Sequence, residues 1–159
     1  MPKTTTPGAM IRTAWDRLAP RPGGKWLFSK IFARLVPYSG SIKPLVSELT
    51  SGRCRVVMRD RPNLRNHLRS IHAVALMNLG EMASGLALVY GLPDDTRAIL
   101  VGLSMEYLKK ARGTLEASCD FGVPSVTERQ ELELTVDIRD NAGDVVARAR
   151  ANWLVDRLV

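Results

Sequence analysis

His72-Ala-Val-Ala-Leu-Met-Asn-Leu-Gly-Glu81-Met-Ala-Ser-Gly-Leu-Ala-Leu-Val89 decides how this chain folds. Apolar and small residues fill the run on every side, the pattern of a helix wrapped by the rest of its protein. Glu81 is its only charged side chain. Burying an ionised carboxylate is costly unless something pairs with it, and desolvation raises its pKa. Such costs recur at working sites, so Glu81 is the leading candidate for a catalytic base or nucleophile. A core glutamate paired with an arginine or with helix-end amides is the alternative. The run approaches transmembrane length, but Asn78 and Glu81 stand at its middle, where a bilayer penalises both. A core helix over about 72–90 is therefore expected, not a span.

The surrounding chain supplies what would wrap it. A length of 159 residues fits one domain with a sizeable core, and 45% hydrophobic with 25% charged residues is a globular composition. Residues 42–49 and 52–59 read as strands; in the second, Cys54, Val56 and Met58 alternate with Arg53, Arg55 and Arg59. A polar loop over 60–70 leads into the helix, and Gly91-Leu-Pro-Asp-Asp95 ends it. Four more strands are expected over 97–108, 112–121, 128–139 and 144–156. Leu132, Leu134, Val136 and Ile138 alternating with Glu131, Glu133, Asp137 and Arg139 give the clearest period of two. Asp140-Asn-Ala-Gly-Asp144 supplies the hairpin turn that follows. Short connections favour antiparallel neighbours, so the expected shape is an antiparallel sheet wrapped around one long central helix.

Charge separates the first 36 residues from the rest. Lys3, Arg12, Arg17, Arg21, Lys25, Lys30 and Arg34 face only Asp16 there, a net of +6 out of the chain's +7. This basic extension reads as two helices, over 9–19 and 25–36, divided by Pro20-Arg-Pro-Gly-Gly24. The second interleaves Trp26, Leu27, Phe28, Ile31, Phe32 and Leu35 with Lys25, Lys30 and Arg34. Packing on its own domain is expected ahead of contact with a membrane surface, because amphipathicity is the default of any surface helix. No nucleic-acid-binding motif accompanies the charge, so nucleic acid is not an expected partner. The start, MPKTTTPGAM, has no apolar core of a secretory signal. Cys54 and Cys119 fall in apolar strand phases and read as reduced core thiols, which points to the cytoplasm.

Several short pieces in order carry a family resemblance: Asp60-Arg-Pro, Asn66-His67, His72-Ala73, Glu81-Met-Ala-Ser-Gly85, Tyr107-Leu-Lys-Lys-Ala-Arg-Gly113 and Asp140-Asn-Ala-Gly143. Together they resemble the hotdog-fold thioesterases of the phenylacetate-pathway type, and more closely the uncharacterised DUF4442 branch of that superfamily. The resemblance covers about residues 37–157, which would make 1–36 a helical extension and 37–159 a hotdog domain. It implies hydrolysis of acyl-CoA or acyl-carrier-protein thioesters, without a cofactor or metal, at sites shared between two subunits. In that superfamily an Asn or Gln and a His precede the helix, and an Asp or Glu lies nine residues after the His; Asn66, His72 and Glu81 match. Many relatives have two glycines after the His where this chain has Ala73-Val74. They often place a polar residue on the strand after the helix, where this chain has Ile99, Leu100 and Val101. Those departures favour the runner-up reading, a non-catalytic acyl- or lipid-binding hotdog dimer.

Geometry points to sharing as well. Nine helical residues rise about 13.5 Å and end on the opposite face, so His72 and Glu81 of one chain cannot easily flank one bond. A two-fold pairing of antiparallel helices would bring His72 of one chain toward Glu81 of the other, so a homodimer is expected, with pairing into tetramers left open. The expected roles are an oxyanion-holding amide at Ala73, Asn66 orienting carbonyl or water, His72 polarising or holding the loop, and Glu81 activating water or attacking directly. Lys109, Lys110 and Arg112 are the candidate contacts to substrate phosphates, against the reading of a merely solvated hairpin.

Overall fold

The computed structural model describes residues 6–158. Lys3, counted in the basic extension, lies outside them. Three helices come first, α1 (Pro7–Leu18), α2 (Gly24–Leu35) and the single turn α3 (Pro37–Gly40). Strands β1 (Leu45–Thr50) and β2 (Arg53–Met58) follow, then the long helix α4 (Ala73–Gly91). Four strands complete the chain: β3 (Thr96–Tyr107), β4 (Leu115–Asp120), β5 (Gln130–Arg139) and β6 (Val145–Arg157). All six strands form one antiparallel sheet in the order β1-β2-β4-β5-β6-β3, and α4 packs against every one of them. This is the expected antiparallel sheet wrapped around one central helix, the hotdog fold.

Side-chain size explains how closely the helix sits. Ala147, Ala149 and Ala151 of β6 are fully buried beneath α4, and a Cβ built on Gly80 would lie 2.8 Å from the Ala149 Cβ. Glycine on the helix and alanine on the strand therefore set the approach. Leu79, Met82, Ala83, Leu86 and Leu88 fill the remaining space with Val56, Leu115, Val136 and Ile138. The outer face of the sheet carries the alternate residues, crossed by ion pairs such as Arg148–Asp137 at 2.6 Å and Arg53–Asp120 at 2.7 Å.

The two strand starts that shift most, and one added helical turn, depart from the sequence expectation for local reasons. β1 begins at Leu45 and not at 42, because Lys43 sits in the left-handed region (φ 48°) and Pro44 has no N–H to donate. β4 begins at Leu115, after Gly113 turns the chain at φ 72°. The segment after Val36 makes one helical turn before the sheet, held by Asn78 of α4, whose Nδ2 donates to the Tyr38 carbonyl at 3.0 Å.

The extension shares the core with the sheet. Trp15 and Phe28 are buried edge to face, ring centroids 5.0 Å apart. Arg12 donates to the Tyr90 and Leu92 carbonyls at the end of α4, the favourable place for a cation on a helix. On the other side, Ser29 Oγ accepts from Val46 N at 2.9 Å and Lys25 Nζ donates to Ser47 O at 2.6 Å. Helix α2 thereby covers the β1 edge of the sheet. The β3 edge, twelve residues long, has no such cover among the described residues.

Replacing Gly80 with valine should destabilise the protein by about 3 kcal/mol, the upper end of ordinary overpacking, because neither backbone can yield. Urea denaturation of Gly80→Val checks this; an unchanged midpoint would mean that the helix does not rest on the alanine row.

Candidate active site

The start of α4 shows how the site is built. His72 is the helix N-cap: its Nδ1 accepts from Val74 N at 3.1 Å. Its carbonyl accepts from Ala75 N and Leu76 N at 3.0 and 3.2 Å. His72 N–H donates to the Leu64 carbonyl at 2.7 Å, so of the four amides at the helix start, from His72 to Ala75, Ala73 N–H alone has no acceptor among the described residues. The Ala73 carbonyl, in turn, accepts from the Tyr107 hydroxyl at 3.3 Å.

The loop before the helix is held by Asn66. Its Oδ1 accepts from Leu68 N (2.9 Å) and Ser70 N (3.2 Å), and its backbone N donates to Ser70 O (2.8 Å). Arg69 completes this tight turn at φ 55°. The Asn66 oxygen is therefore occupied by its own loop, which leaves only the Nδ2 amide for a ligand. A cleft of about 390 Å³ opens here, lined by Asn66, Ala73, Leu76, Tyr107 and Lys110 among others.

Glu81 lies elsewhere. It is half-buried two and a half turns along α4, away from that cleft. Its carboxylate has neither a hydrogen bond nor an ion pair among the described residues, and burial alone pushes its pKa above the ordinary value of 4.5. Only its backbone is tied: the Glu81 carbonyl accepts from Ser84 Oγ at 2.9 Å, which accepts from the Trp153 indole N–H at 3.2 Å. Gly85 leaves room for that indole, since a Cβ there would meet the Trp153 ring at 3.1 Å.

The expected residues thus divide. Asn66 and Ala73 meet in one cleft, Glu81 stands apart, and the His72 ring serves as an exposed cap outside the cleft lining. Among the basic candidates, Lys109 is held by Asp140 (2.8 Å) and Asp144 (2.6 Å), which push its pKa up to about 12. Lys110 lines the cleft, and Arg112 reaches the Leu68 carbonyl at 3.4 Å. Tyr107 was not expected; only the return of β3 past the helix start reveals it. No group of three or more His, Cys, Asp or Glu side chains among the described residues could hold a metal ion. Cys54 and Cys119 are free, buried and opposite one another on β2 and β4, and burial raises both thiol pKa values.

The comparison with family models decides the membership: Domain of unknown function (DUF4442) matches residues 24–155. The chain belongs to the DUF4442 family. The match begins at the first residue of α2, inside the basic extension. Among solved structures, the structural-genomics protein APC5556 is similar at 27% identity and a TM-score of 0.81, over 94% of this chain and 99% of that one. A Pseudomonas aeruginosa protein, PA5026, named a "Probable Thioesterase", is similar at 18% identity and TM-score 0.72, over 79% of this chain and 90% of that one. The Staphylococcus aureus thioesterase SAV0944 is similar at 11% identity and TM-score 0.66, over 76% and 98%. These neighbours have the hotdog fold of thioesterases. A comparison with curated proteins finds no match. Among the described residues one helix, α4, is long and apolar enough to cross a membrane, and it is the core helix of this fold.

Glu81→Gln should stabilise the isolated protein at neutral pH. A carboxylate whose folded pKa is raised holds its proton more tightly when folded, so stability falls as pH climbs from 4.5 through the folded value. The gain from glutamine is expected in full above that window and absent below pH 4.5. Thermal midpoints of both proteins across pH check it; a less stable Glu81→Gln at neutral pH would reveal a partner for the carboxylate.

Proposed function

We propose that the protein hydrolyses acyl thioesters, of CoA or of an acyl-carrier protein, at two equivalent sites shared across a homodimer. The observation that carries this reading is a pair of unsatisfied groups on one buried helix: the open Ala73 amide and the partnerless Glu81 carboxylate. They are about 12 Å apart along the axis, too far to act on one bond.

The open β3 edge suggests how they meet. Tyr107 near one end of β3 touches the start of α4, and Met105 lies over Gly80, so helix and strand run side by side in opposite directions. Antiparallel pairing of two β3 edges about a two-fold axis would lay the two α4 helices antiparallel as well. Glu81 of the partner subunit would then face the Ala73 cleft. Exposed Ile99 and Val101 on β3 favour burial of that strand. In the Staphylococcus aureus protein, the glutamine and the glutamate substituted in two solved structures are fifteen positions apart, the spacing of Asn66 and Glu81 here.

In the proposed reaction the thioester oxygen accepts from Ala73 N–H, where the positive end of α4 favours the developing oxyanion. Asn66 Nδ2 orients the carbonyl or the water. Glu81 of the partner subunit takes the proton of a water whose oxygen attacks the carbonyl carbon; the C–S bond then breaks, and the proton passes to the leaving thiolate. His72 fixes the turn that presents Ala73, and Tyr107 fixes the same peptide from the other side. Lys110, and Arg112 beside its contact with the Leu68 carbonyl, would meet substrate phosphates, whereas Lys109 secures the β5–β6 hairpin. The buried free thiols suit a reducing compartment, and a cytoplasmic location fits them.

Thiol release from acyl-CoAs of short, medium and long chain tests this directly. Glu81→Gln and Asn66→Asp should each lower turnover by about two orders of magnitude or more, the second without loss of fold, because aspartate keeps the two loop bonds and removes only the amide. No release from any thioester by the folded dimer would leave the acyl-binding reading in its place. Light scattering should find a dimer, and Val101→Lys on the β3 edge should give a monomer with no activity.

A further inference from the structure

Helix α2 has two faces, and only one is used by the fold. Phe28 and Ser29 are buried against the domain. Two adjacent rows at i, i+4, i+8 spacing cover the rest of its surface: Trp26, Lys30 and Arg34 opposite the buried side, and Leu27, Ile31 and Leu35 along its flank. Both rows are exposed, Trp26 by 59% and Leu35 by 67%. Exposed Val36 and Tyr38 extend the apolar row.

The charged row borders a groove of about 630 Å³ whose far wall carries Lys43, Arg59 and Arg61. None of Lys30, Arg34, Lys43, Arg59 and Arg61 takes part in an ion pair among the described residues. Asp60, the one acid lining the groove, is held by Arg65 at 2.8 Å and by the Gly113 amide at 3.1 Å. Lys30 Nζ stands 5.5 Å from the Trp26 ring centre, so cation and indole form one surface.

We propose that this face docks the protein on an anionic lipid bilayer, with α2 lying in the plane of the interface. A second copy of the chain would set Lys30 and Arg34 against their own kind. Nucleic acid would satisfy the cations but offers nothing to the Leu27–Ile31–Leu35 row. An anionic bilayer supplies both, phosphate groups for Lys30, Arg34 and the groove and an acyl layer for the leucines, with Trp26 at the boundary between them. The core side of α2 keeps its contacts, so docking needs no refolding. The surface uses none of the thioesterase residues and stands or falls apart from that reading.

Vesicle flotation and intrinsic fluorescence test it on the full chain. The protein should float with vesicles of phosphatidylcholine mixed with phosphatidylglycerol, not with phosphatidylcholine alone, and salt should release it. Trp15 and Trp153 are buried, so a blue shift of emission on binding should come from Trp26 and vanish in Trp26→Phe. Lys30→Glu with Arg34→Glu should weaken binding at least about tenfold with the circular dichroism unchanged; should that pair fail to fold, Lys30→Gln with Arg34→Gln carries the same test. No flotation with the anionic vesicles at low salt, binding undiminished by the substitutions, or binding without the Trp26 shift would overturn the proposal. So would duplex DNA that binds as tightly through the same two residues, which would assign the face to nucleic acid.

Discussion

A buried helix holds the open Ala73 amide and the partnerless Glu81 carboxylate at a fixed distance. Because α4 rests on the alanine row of β6 through Gly80, it can neither bend nor slide to bring Ala73 and Glu81 together. Half-burial also takes part of the water from Glu81 without giving it a partner among the described residues, which raises its proton affinity. The same packing therefore sets the chemical character of the carboxylate, and under the proposed reaction the acyl group that Glu81 acts on is held in the partner subunit's cleft.

The sheet edges fit that requirement. A six-stranded sheet has two, and each exposes a row of backbone groups able to pair with another strand. Ser29 and Lys25 of α2 occupy the β1 edge, and nothing described occupies β3. The basic extension has a structural task on its inner face, closing one edge of the sheet while the other stays open among the described residues. Its outer face, with a charged row beside an apolar one, is the surface proposed for a bilayer.

Much of this was legible in the residues. The apolar run from His72 to Val89 and the period of two in β5 identified the helix and the sheet, because burial on all sides and on one side leave distinct patterns. The packing of α2 was legible in the same way, from Phe28 and Phe32. Other features were not. That β3 leaves its sequence neighbours and pairs with β6 is a long-range outcome no local period encodes. Whether a histidine before a helix meets substrate or caps the helix depends on one χ rotation, and here His72 Nδ1 turns to Val74 N. Lys109 looked like a free cation because Asp140 and Asp144, which hold it, lie on a hairpin thirty residues away. The chemical types at the site could be read; the partners each had already taken could not.

The central claim is that a working site needs Asn66 and Glu81 from different chains, and subunit complementation measures it most directly. Asn66→Asp and Glu81→Gln proteins, each inactive alone, are unfolded together, refolded and assayed for thiol release. In random two-fold dimers half are mixed, and each mixed dimer restores one of two sites, so about a quarter of the native activity should return. A mixture as inactive as its components, with mixed dimers demonstrably formed, would contradict the account.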